Sequence, residues 1–380
     1  MNAERLYEML MEARRPSDLS KLLESLVAEN AFDLGLEGGV EPRVGAATSG
    51  FVKHILRLVS HKLGLLVVRR LAYYTQFYLV SGVNPTNFLR VVSLLTNPRD
   101  WDELYNILDE DGRGALMNWL RAHIALLMYP RRPESINNFA PVGIEEYARK
   151  AEEYSARAKP VKMPGCGVYR VLKVKGLHGS YKLYCENVGE VVTTWVYGKN
   201  PLPPRREGLV IDGGAYLGET SVWFADVTPE ARIVAVEPGD CNSRVLEMVV
   251  RENRLENRII VERAALWSEN TTLALEERGP ASQVSRKEGK VRAVTVDYLR
   301  EKLGEPVSYI KLDVEGAELE ALKGAVEALK RDKPFLAISA YHKPLDPVHI
   351  ARFMREHGYE RISFWFPLPS LSDAMVLGVG

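Results

Sequence analysis

From Leu209 onward, short apolar strand patterns alternate with amphipathic helix patterns, and this alternation limits the possible folds more than any other feature. Strands that alternate with helices build a parallel sheet with helices on both faces. The last two apolar runs, ERISFWF and DAMVLGV, predict a terminal β-hairpin that adds an antiparallel edge. The other predicted strands are GLVID, ARIVAVEP, RIIVERAAL, SYIKLDVE and PFLAISAYH. This part of the chain is therefore predicted to have an α/β fold.

The residues before Leu209 fall into two further parts. Residues 1–155 show the apolar spacing of amphipathic helices and carry no nucleophile, metal or phosphate motif. Residues 156–208 contain the alternating runs VYRVLKV and SYKLYCE around Gly176 to Gly179, which predict a β-hairpin, and VVTTWVYG predicts a third strand. We predict a helical accessory domain (1–155) suited to homo-oligomerisation, a linker and β-hairpin segment (156–208) and an α/β domain (209–380).

Charge is balanced over the whole chain, with 50 Lys and Arg residues against 50 Asp and Glu residues. No overall basic field is present, which disfavours nucleic acid as a partner. Residues 156–208 nevertheless hold ten basic and three acidic residues. We interpret this local basic zone as a solvated β face, with a docking surface for the substrate as the alternative.

Cysteine content and hydropathy bear on location. Three cysteines are too few for a disulfide scaffold and fit a reducing cytoplasm, although they leave one bridge open. The most apolar stretch, Ile55 to Val83, is interrupted by five basic or histidine residues, so it predicts no transmembrane segment. The chain also starts without the apolar core of a signal peptide. We expect a cytoplasmic protein.

A glycine-rich turn follows the first predicted strand of the α/β domain. Asp212, Gly213, Gly214 and Gly218 lie between the strand GLVID and a helix. Glycines allow a sharp turn and a close approach of the backbone to a ligand, while the start of the helix offers N–H donors. The second strand ends at Glu237, nineteen residues beyond Gly218, where an acid can bind ribose hydroxyls.

The same turn distinguishes between nucleotide cofactors. The dinucleotide fingerprint G-x-G-x-x-G is incomplete, because Ala215 stands where its second glycine belongs. Asp212 directly precedes the turn, and a carboxylate there attracts an ammonium group but repels a pyrophosphate. The turn therefore indicates S-adenosyl-L-methionine rather than NAD.

Several motifs in residues 209–366 resemble the FkbM family of S-adenosylmethionine-dependent methyltransferases. They are VIDGGAYLGETS, VAVEP, RAALW, VTVDYL, YHKP and, as the most specific, YIKLDVEGAELEALKGA. The resemblance implies a class I methyltransferase (Rossmann-like) fold with a seven-stranded sheet, and methyl transfer to a hydroxyl of a small molecule or carbohydrate. It covers 158 of the 380 residues and says nothing about the N-terminal part.

The resemblance also implies cofactor contacts. Asp212, Gly214 and Gly218 are expected at the amino-acid end of S-adenosyl-L-methionine, Glu237 at its ribose, and Ala264 and Ala265 beside its adenine. Ala215 is expected to be a further cofactor contact. Two positions depart from the family pattern. Tyr216 occupies a place that is often small or Asn, and Ala340 stands where some relatives carry an acid.

Three residues at the ends of predicted strands are candidates for catalysis. Methyl transfer to a hydroxyl needs positioning of the acceptor and a group that takes up its proton. Asp313 and Glu315 follow the fourth strand and His342 follows the fifth, where active-site groups of open α/β sheets lie. We expect Asp313 to contact the reacting centre, and Glu315 either to orient the acceptor or to hold a neighbouring Lys. His342 is equally well read as a proton acceptor or as a plain loop histidine.

Residues next to these candidates are expected to have structural roles. Glu318 is expected to cap the following helix, and Lys311 to pair with an adjacent carboxylate. No H-x-x-H or C-x-x-C spacing is present, so no metal is predicted. The alternatives are a nucleic-acid methyltransferase, favoured only by the basic zone, and a non-catalytic binding protein on a methyltransferase fold.

Overall fold

Helices make up most of the N-terminal part that the structure describes. The computed structural model describes residues 3–28, 85–128, 137–141, 143–196, 198, 201, 207–276, 283–285, 289–367 and 373–380. Prolines begin three of the helices, at Pro16, Pro85 and Pro98, where the missing N–H costs no helical hydrogen bond. The helices are α1 (Ala3–Glu12), α2 (Pro16–Ala28), α3 (Pro85–Thr96), α4 (Pro98–Ile107), α5 (Glu110–Met128) and α6 (Ile144–Arg157).

A seven-stranded sheet forms the centre of the C-terminal part, as predicted. Its order is β13-β14-β12-β11-β4-β5-β6, and β14 runs antiparallel to both of its neighbours. The first strand of the domain, β4, is buried along its whole length, as expected for a central parallel strand. The strands are β4 (Leu209–Gly213), β5 (Arg232–Val236), β6 (Ile259–Glu262), β11 (Val307–Leu312), β12 (Phe335–Ser339), β13 (Arg361–Trp365) and β14 (Met375–Val379).

Helices and a smaller sheet complete this part of the chain. The helices are α8 (Glu219–Val227), α9 (Asp240–Glu252), α10 (Val296–Leu303), α11 (Glu318–Lys323), α12 (Val326–Arg331) and α13 (Asp346–Glu356). The smaller sheet has the order β7-β10-β8-β9, with β7 (Ala265–Leu266), β8 (Thr271–Glu276), β9 (Gln283–Ser285) and β10 (Val291–Val294).

The segment between the two parts contains the predicted hairpin but not the predicted third strand. Strands β1 (Lys159–Met163), β2 (Gly167–Lys175) and β3 (Ser180–Cys185) form an antiparallel sheet, with Gly176 N–H donating to Gly179 O across the turn (2.8 Å). The prediction for VVTTWVYG was wrong, because Val188–Trp195 form helix α7. The Asn187 side chain accepts from Gly189 N–H and so caps this helix. The burial of the helix outweighs the β propensity of its Val and Thr residues.

A disulfide between Cys166 and Cys241 joins the β1–β2 turn to the first turn of α9. The sequence left one such bridge open. Cys185 is buried and reduced. None of the helices within the described ranges is long and apolar enough to cross a membrane, and the stretch 55–83 lies outside those ranges.

One hydrophobic core connects the N-terminal helices to the sheet. The cluster that contains Leu10 and Trp119 also contains Phe364 of β13 and Ile310 of β11. At the sheet edge, Asp109 N–H donates to Ile362 O (2.8 Å), so the backbone before α5 meets the outermost strand. The boundary near residue 155 stays a prediction, since the packing on this side is continuous.

Candidate active site

The glycine turn after β4 lies directly against the loop after β11. Gly214 has φ +71°, and a Cβ built on it would lie 1.9 Å from the carbonyl oxygen of Asp313. Only glycine therefore fits at this position. The N–H groups of Gly214 and Ala215 donate to Val236 O (3.0 and 3.1 Å), and Gly218 at φ +95° precedes α8. The turn is thus held between the ends of β5 and β11.

Tyr216 gives this turn an unusual backbone. Its φ of +49° is left-handed, which costs a non-glycine residue roughly 1–2 kcal/mol. Its N–H donates to Glu237 Oε2 (3.0 Å), so the strained residue links the turn to the end of β5. Burial, together with the carboxylates of Glu190 and Glu186, raises the pKa of the Tyr216 hydroxyl. The ring therefore lies in a closed, acidic environment.

Glu237 presents a carboxylate that its own neighbours orient. Its side chain accepts from Tyr216 N–H, Gly239 N–H (2.9 Å) and Asn242 Nδ2 (3.1 Å). Burial raises the pKa of Glu237, and these hydrogen bonds oppose the shift without cancelling it. A carboxylate has about four acceptor sites, so one remains on Oε2 for a ribose hydroxyl. This geometry fits the cofactor predicted from the sequence.

Asp212 is fully buried beneath the turn. Its Oδ1 lies 3.0 Å from Lys311 Nζ, and its Oδ2 accepts from Ser221 Oγ (2.5 Å). Lys311 also donates to the carbonyls of Gly213 and Gly214 (3.2 and 3.0 Å). The pairing expected for Lys311 is therefore confirmed. The direct contact of Asp212 with the cofactor stays a prediction, because the described contacts of its carboxylate stabilise the turn from below.

Ala264 and Ala265 follow β6, next to the end of β5. Glu237 N–H donates to Glu262 O (3.1 Å), and Ala264 N–H donates to the same oxygen (2.9 Å). Both alanines are buried, and Ala265 belongs to β7. Their contact with adenine stays a prediction.

The three residues predicted for catalysis lie together at the carboxyl ends of β11 and β12. His342 Nε2 is 3.3 Å from Glu315 Oε2 and 3.7 Å from Asp313 Oδ1. These ends are adjacent because Leu312 and Ile338 are paired across the two strands. Glu315, in the acidic loop of residues 313–318, has φ +53°, so this loop and the glycine turn that carries Tyr216 each contain a left-handed residue other than glycine. Strain of this kind concentrates at functional sites.

Glu318 lies in the first turn of its helix, where the dipole favours an acid, as predicted, but its side chain bonds to residues before the helix. It is the first residue of α11, and its Oε1 accepts from the preceding N–H groups of Val314 (3.0 Å) and Gly316 (3.3 Å). The same oxygen lies 3.0 Å from His342 Nδ1. Glu318 therefore shapes the acidic loop and faces the histidine.

The electrostatics of this group assign the proton to His342. Burial alone would lower the pKa of His342, but the carboxylates of Glu318, Glu315 and Asp313 outweigh it and raise the pKa well above 6.5. An imidazolium cannot accept another proton. The role of His342 as a proton acceptor stays a prediction, and the raised pKa of its ring favours a carboxylate as the alternative acceptor.

Two residues of this region were missed by sequence reasoning. The Tyr341 hydroxyl donates to Asp313 Oδ1 (2.7 Å). Tyr341 directly precedes His342 in the YHKP motif, so its position in the sequence could have indicated it. Arg90, in α3, is completely buried and donates from Nη2 to the carbonyl of Tyr341 (2.9 Å). Burial lowers the pKa of Arg90 to about 9, with Asp346 opposing the shift. No sequence motif surrounds Arg90.

The strand order, the glycine turn after the first strand and the acid after the second define a class I methyltransferase that uses S-adenosyl-L-methionine. Within this class, residues 212–361 match the model of the methyltransferase FkbM domain. This match covers 150 of the 380 residues and agrees with the resemblance found in the sequence.

Comparison with solved structures finds distant similarities. The chain is similar to a methyltransferase FkbM from Methylobacillus flagellatus, with 18% identity, 86% of this chain and 76% of that chain covered, and a TM-score of 0.47. It is also similar to Aeropyrum pernix fibrillarin in complex with natively bound S-adenosyl-L-methionine, with 14% identity, 59% and 94% coverage, and a TM-score of 0.34. No curated protein matches the sequence.

Proposed function

We propose that this methyltransferase methylates a hydroxyl group of a small molecule or carbohydrate. The observation that carries the proposal is the group formed by Asp313, Glu315 and His342, which lies against the glycine turn of the cofactor site. A hydroxyl acceptor must lose its proton when the methyl group arrives, and ionised carboxylates beside the donor supply an acceptor for that proton.

The cofactor side of the site uses the residues predicted from the sequence. S-adenosyl-L-methionine supplies an activated methyl group when bound. We assign its ribose to Glu237, whose remaining acceptor site on Oε2 supports the assignment. The other proposed contacts are Asp212, Gly214, Ala215, Gly218, Ala264 and Ala265.

The acceptor side assigns distinct tasks to neighbouring groups. Asp313 takes the hydroxyl proton as the new carbon–oxygen bond forms and the carbon–sulfur bond breaks. Tyr341 donates to Asp313 Oδ1 and so fixes the orientation of that carboxylate. Glu315 orients the acceptor, and in the metal-free chain the imidazolium of His342 attracts the carboxylates of Glu315 and Asp313 and so helps to hold them in place.

Nucleic acid is the second candidate acceptor. The sheet β1–β3 exposes Arg170, Lys173 and Lys175, which could contact a phosphate backbone. We rank it second because the basic side chains lie on a separate sheet, and no described contact joins them to Asp313 or His342.

Methyl transfer from labelled cofactor to fractionated cell extract separates the two candidates. We expect label in the small-molecule and glycan fractions, with no loss after nuclease treatment. Label that appears only in nuclease-sensitive material would replace the proposal with the second candidate. A variant with Lys173 and Lys175 changed to Gln serves as a control, because it should retain small-molecule transfer.

Two further expectations belong to the proposal. Tyr7 and Met11 are exposed one turn apart on α1, which supports homo-oligomerisation through the N-terminal helices. Light scattering of the Tyr7→Glu, Met11→Glu variant should then show a smaller particle than the unmodified chain.

The location of the protein in the cell is a separate question. The low cysteine content supports a cytoplasmic location, whereas the Cys166–Cys241 disulfide opposes it. Cell fractionation is the deciding test.

A further inference from the structure

Three side chains at the ends of β11 and β12 have the arrangement of metal ligands. One atom from each of Asp313, Glu318 and His342 lies within 4.8 Å of the others. Glu315 adds a further carboxylate, 3.3 Å from His342 Nε2. Two short stretches, at the start of α11 and after β12, thus bring nitrogen and oxygen donors to one point.

His342 supplies the second observation. Its side chain is only 8% exposed, and both ring nitrogens are buried without a well-aligned hydrogen bond among the described residues. They nevertheless face the three carboxylates at 3.0–3.7 Å. A buried ring nitrogen that lies beside carboxylates without a hydrogen bond can use the lone pair of the neutral ring to bind a cation held between them.

The charge balance of this group leaves a negative excess. Asp313, Glu315 and Glu318 face a single imidazole, which carries at most one positive charge. Lys343 Nζ donates to Gly316 O and adds one positive charge beside this group, whereas the charge of Lys311 is paired with Asp212. With the imidazole neutral, as a metal ligand must be, the three carboxylates and Lys343 leave two negative charges, which one divalent cation balances.

Hydrogen bonds also hold the carboxylates of Asp313 and Glu318 in place. Tyr341 donates to Asp313 Oδ1, and two backbone N–H groups donate to Glu318 Oε1. Hydrogen bonds to ligating carboxylates orient metal ligands in this way and tune their affinity.

We propose that Asp313, Glu318 and His342 bind one divalent first-row transition ion, for which Mn²⁺ is the natural probe, and that His342 releases its proton when the ion binds. The mixed nitrogen and oxygen donors favour such an ion over Mg²⁺ or Ca²⁺, which prefer oxygen ligands alone. Where the proposed hydroxyl transfer also holds, the ion would polarise the acceptor hydroxyl and ease its deprotonation. That last role rests on the proposed function, whereas binding of the ion does not.

Titration of the chelator-treated full chain with Mn²⁺, followed by the electron paramagnetic resonance signal of free Mn²⁺, tests the site. We expect one bound ion per chain, and binding about tenfold or more weaker in H342Q and E318Q. The control E320Q lies on the same helix, where Glu320 pairs with Lys323 and Ser268, and should bind like the unmodified chain.

Because Glu318 is buried, E318Q is accompanied by D313N and by circular dichroism of every variant. A folded D313N variant that binds Mn²⁺ as tightly as the unmodified chain would overturn the proposal. So would the absence of any binding at about 1 mM Mn²⁺, a concentration that detects even weak sites.

The two proposals fail separately. Hydroxyl methylation that persists in chelator, with no Mn²⁺ binding, removes the metal site and leaves the proposed function intact. Mn²⁺ binding without methylation of any hydroxyl removes the proposed function and leaves the site intact.

Discussion

Arg90 donates from Nη2 to the carbonyl oxygen of Tyr341 at 2.9 Å, across 251 positions of sequence. Its Nη1 lies 3.0 Å from His123 Nε2, and its guanidinium stacks over Trp119 at 4.3 Å. A residue of the N-terminal helices thus fixes the backbone that carries Tyr341 and His342. The helices contribute to the position of the proposed catalytic loop.

Replacement of this arginine should weaken both the fold and the reaction. We expect Arg90→Gln to lower the free energy of unfolding by about 3 kcal/mol, because buried hydrogen bonds of a charged group are lost. Turnover should fall while the dissociation constant for S-adenosyl-L-methionine stays unchanged. Denaturant titration and calorimetric binding measure the two effects. A variant with unchanged turnover would show that Arg90 is purely structural.

Glu237 provides a direct test of the cofactor site. Glu237→Ala should weaken binding of S-adenosyl-L-methionine at least tenfold, about 1.4 kcal/mol, because the ribose contact is removed. Glu252→Gln is the control, since Glu252 lies at the exposed end of α9 and pairs with Lys182. Equal dissociation constants for Glu237→Ala and the unmodified chain would refute the ribose assignment.

Asp313 should affect the chemical step rather than cofactor binding. Asp313→Asn keeps the shape of the side chain and removes the proposed proton acceptor, so we expect kcat to fall by about 100-fold or more. The dissociation constant for the cofactor should change little. Steady-state kinetics together with binding calorimetry distinguishes this from a parallel loss of both, which would assign Asp313 to the cofactor contacts.

Asp346 should make stability depend on pH. Burial and the carboxylate of Glu318 raise the pKa of Asp346 from 3.8 to about 6, while the Lys343 N–H, Lys343 and His342 act in the opposite direction. A raised pKa in the folded state means that the contribution is full below pH 3.8 and is lost as the pH rises through about 6.

The unmodified chain should therefore lose up to about 3 kcal/mol across this window relative to Asp346→Asn, as the size of the shift implies. Unfolding by denaturant at a series of pH values measures the difference. Parallel curves for the two proteins would contradict the assignment.

Gly214 can be compared with a glycine of similar conformation elsewhere. Gly214→Ala should destabilise the fold and abolish cofactor binding, because its Cβ would clash with the Asp313 carbonyl. Gly304 has a similar φ of +67° but open space around it, so Gly304→Ala should cost only about 1 kcal/mol of backbone strain. Thermal unfolding and cofactor titration of both variants separate the steric clash from the strain. Equal losses would show that the contact with Asp313 is unimportant.

Much of the fold follows from local patterns, but the contacts between distant segments do not. The buried run of β4 and the acid at Glu237 are visible because strand burial and the turn after it are local properties. Helix α7 was mistaken for a strand because its cap and its buried surroundings outweigh the propensity of Val and Thr. The proximity of Asp313, Glu315 and His342 could be predicted, because all three follow neighbouring strands. The contact of Arg90 with the Tyr341 carbonyl could not, because it depends on packing between segments far apart in the sequence.

The edge strand β13 has a further consequence. Its outer side would offer free N–H and C=O groups to any other strand, but Asp109 N–H bonds to Ile362 O and Trp119 packs on Phe364 with ring centroids 5.0 Å apart. Open sheet edges are templates for the growth of intermolecular β-structure. The N-terminal helices therefore protect this edge strand from intermolecular pairing. A fragment that begins at residue 209 would expose the unpaired edge of β13 and the apolar surface that the helices cover, and it should aggregate.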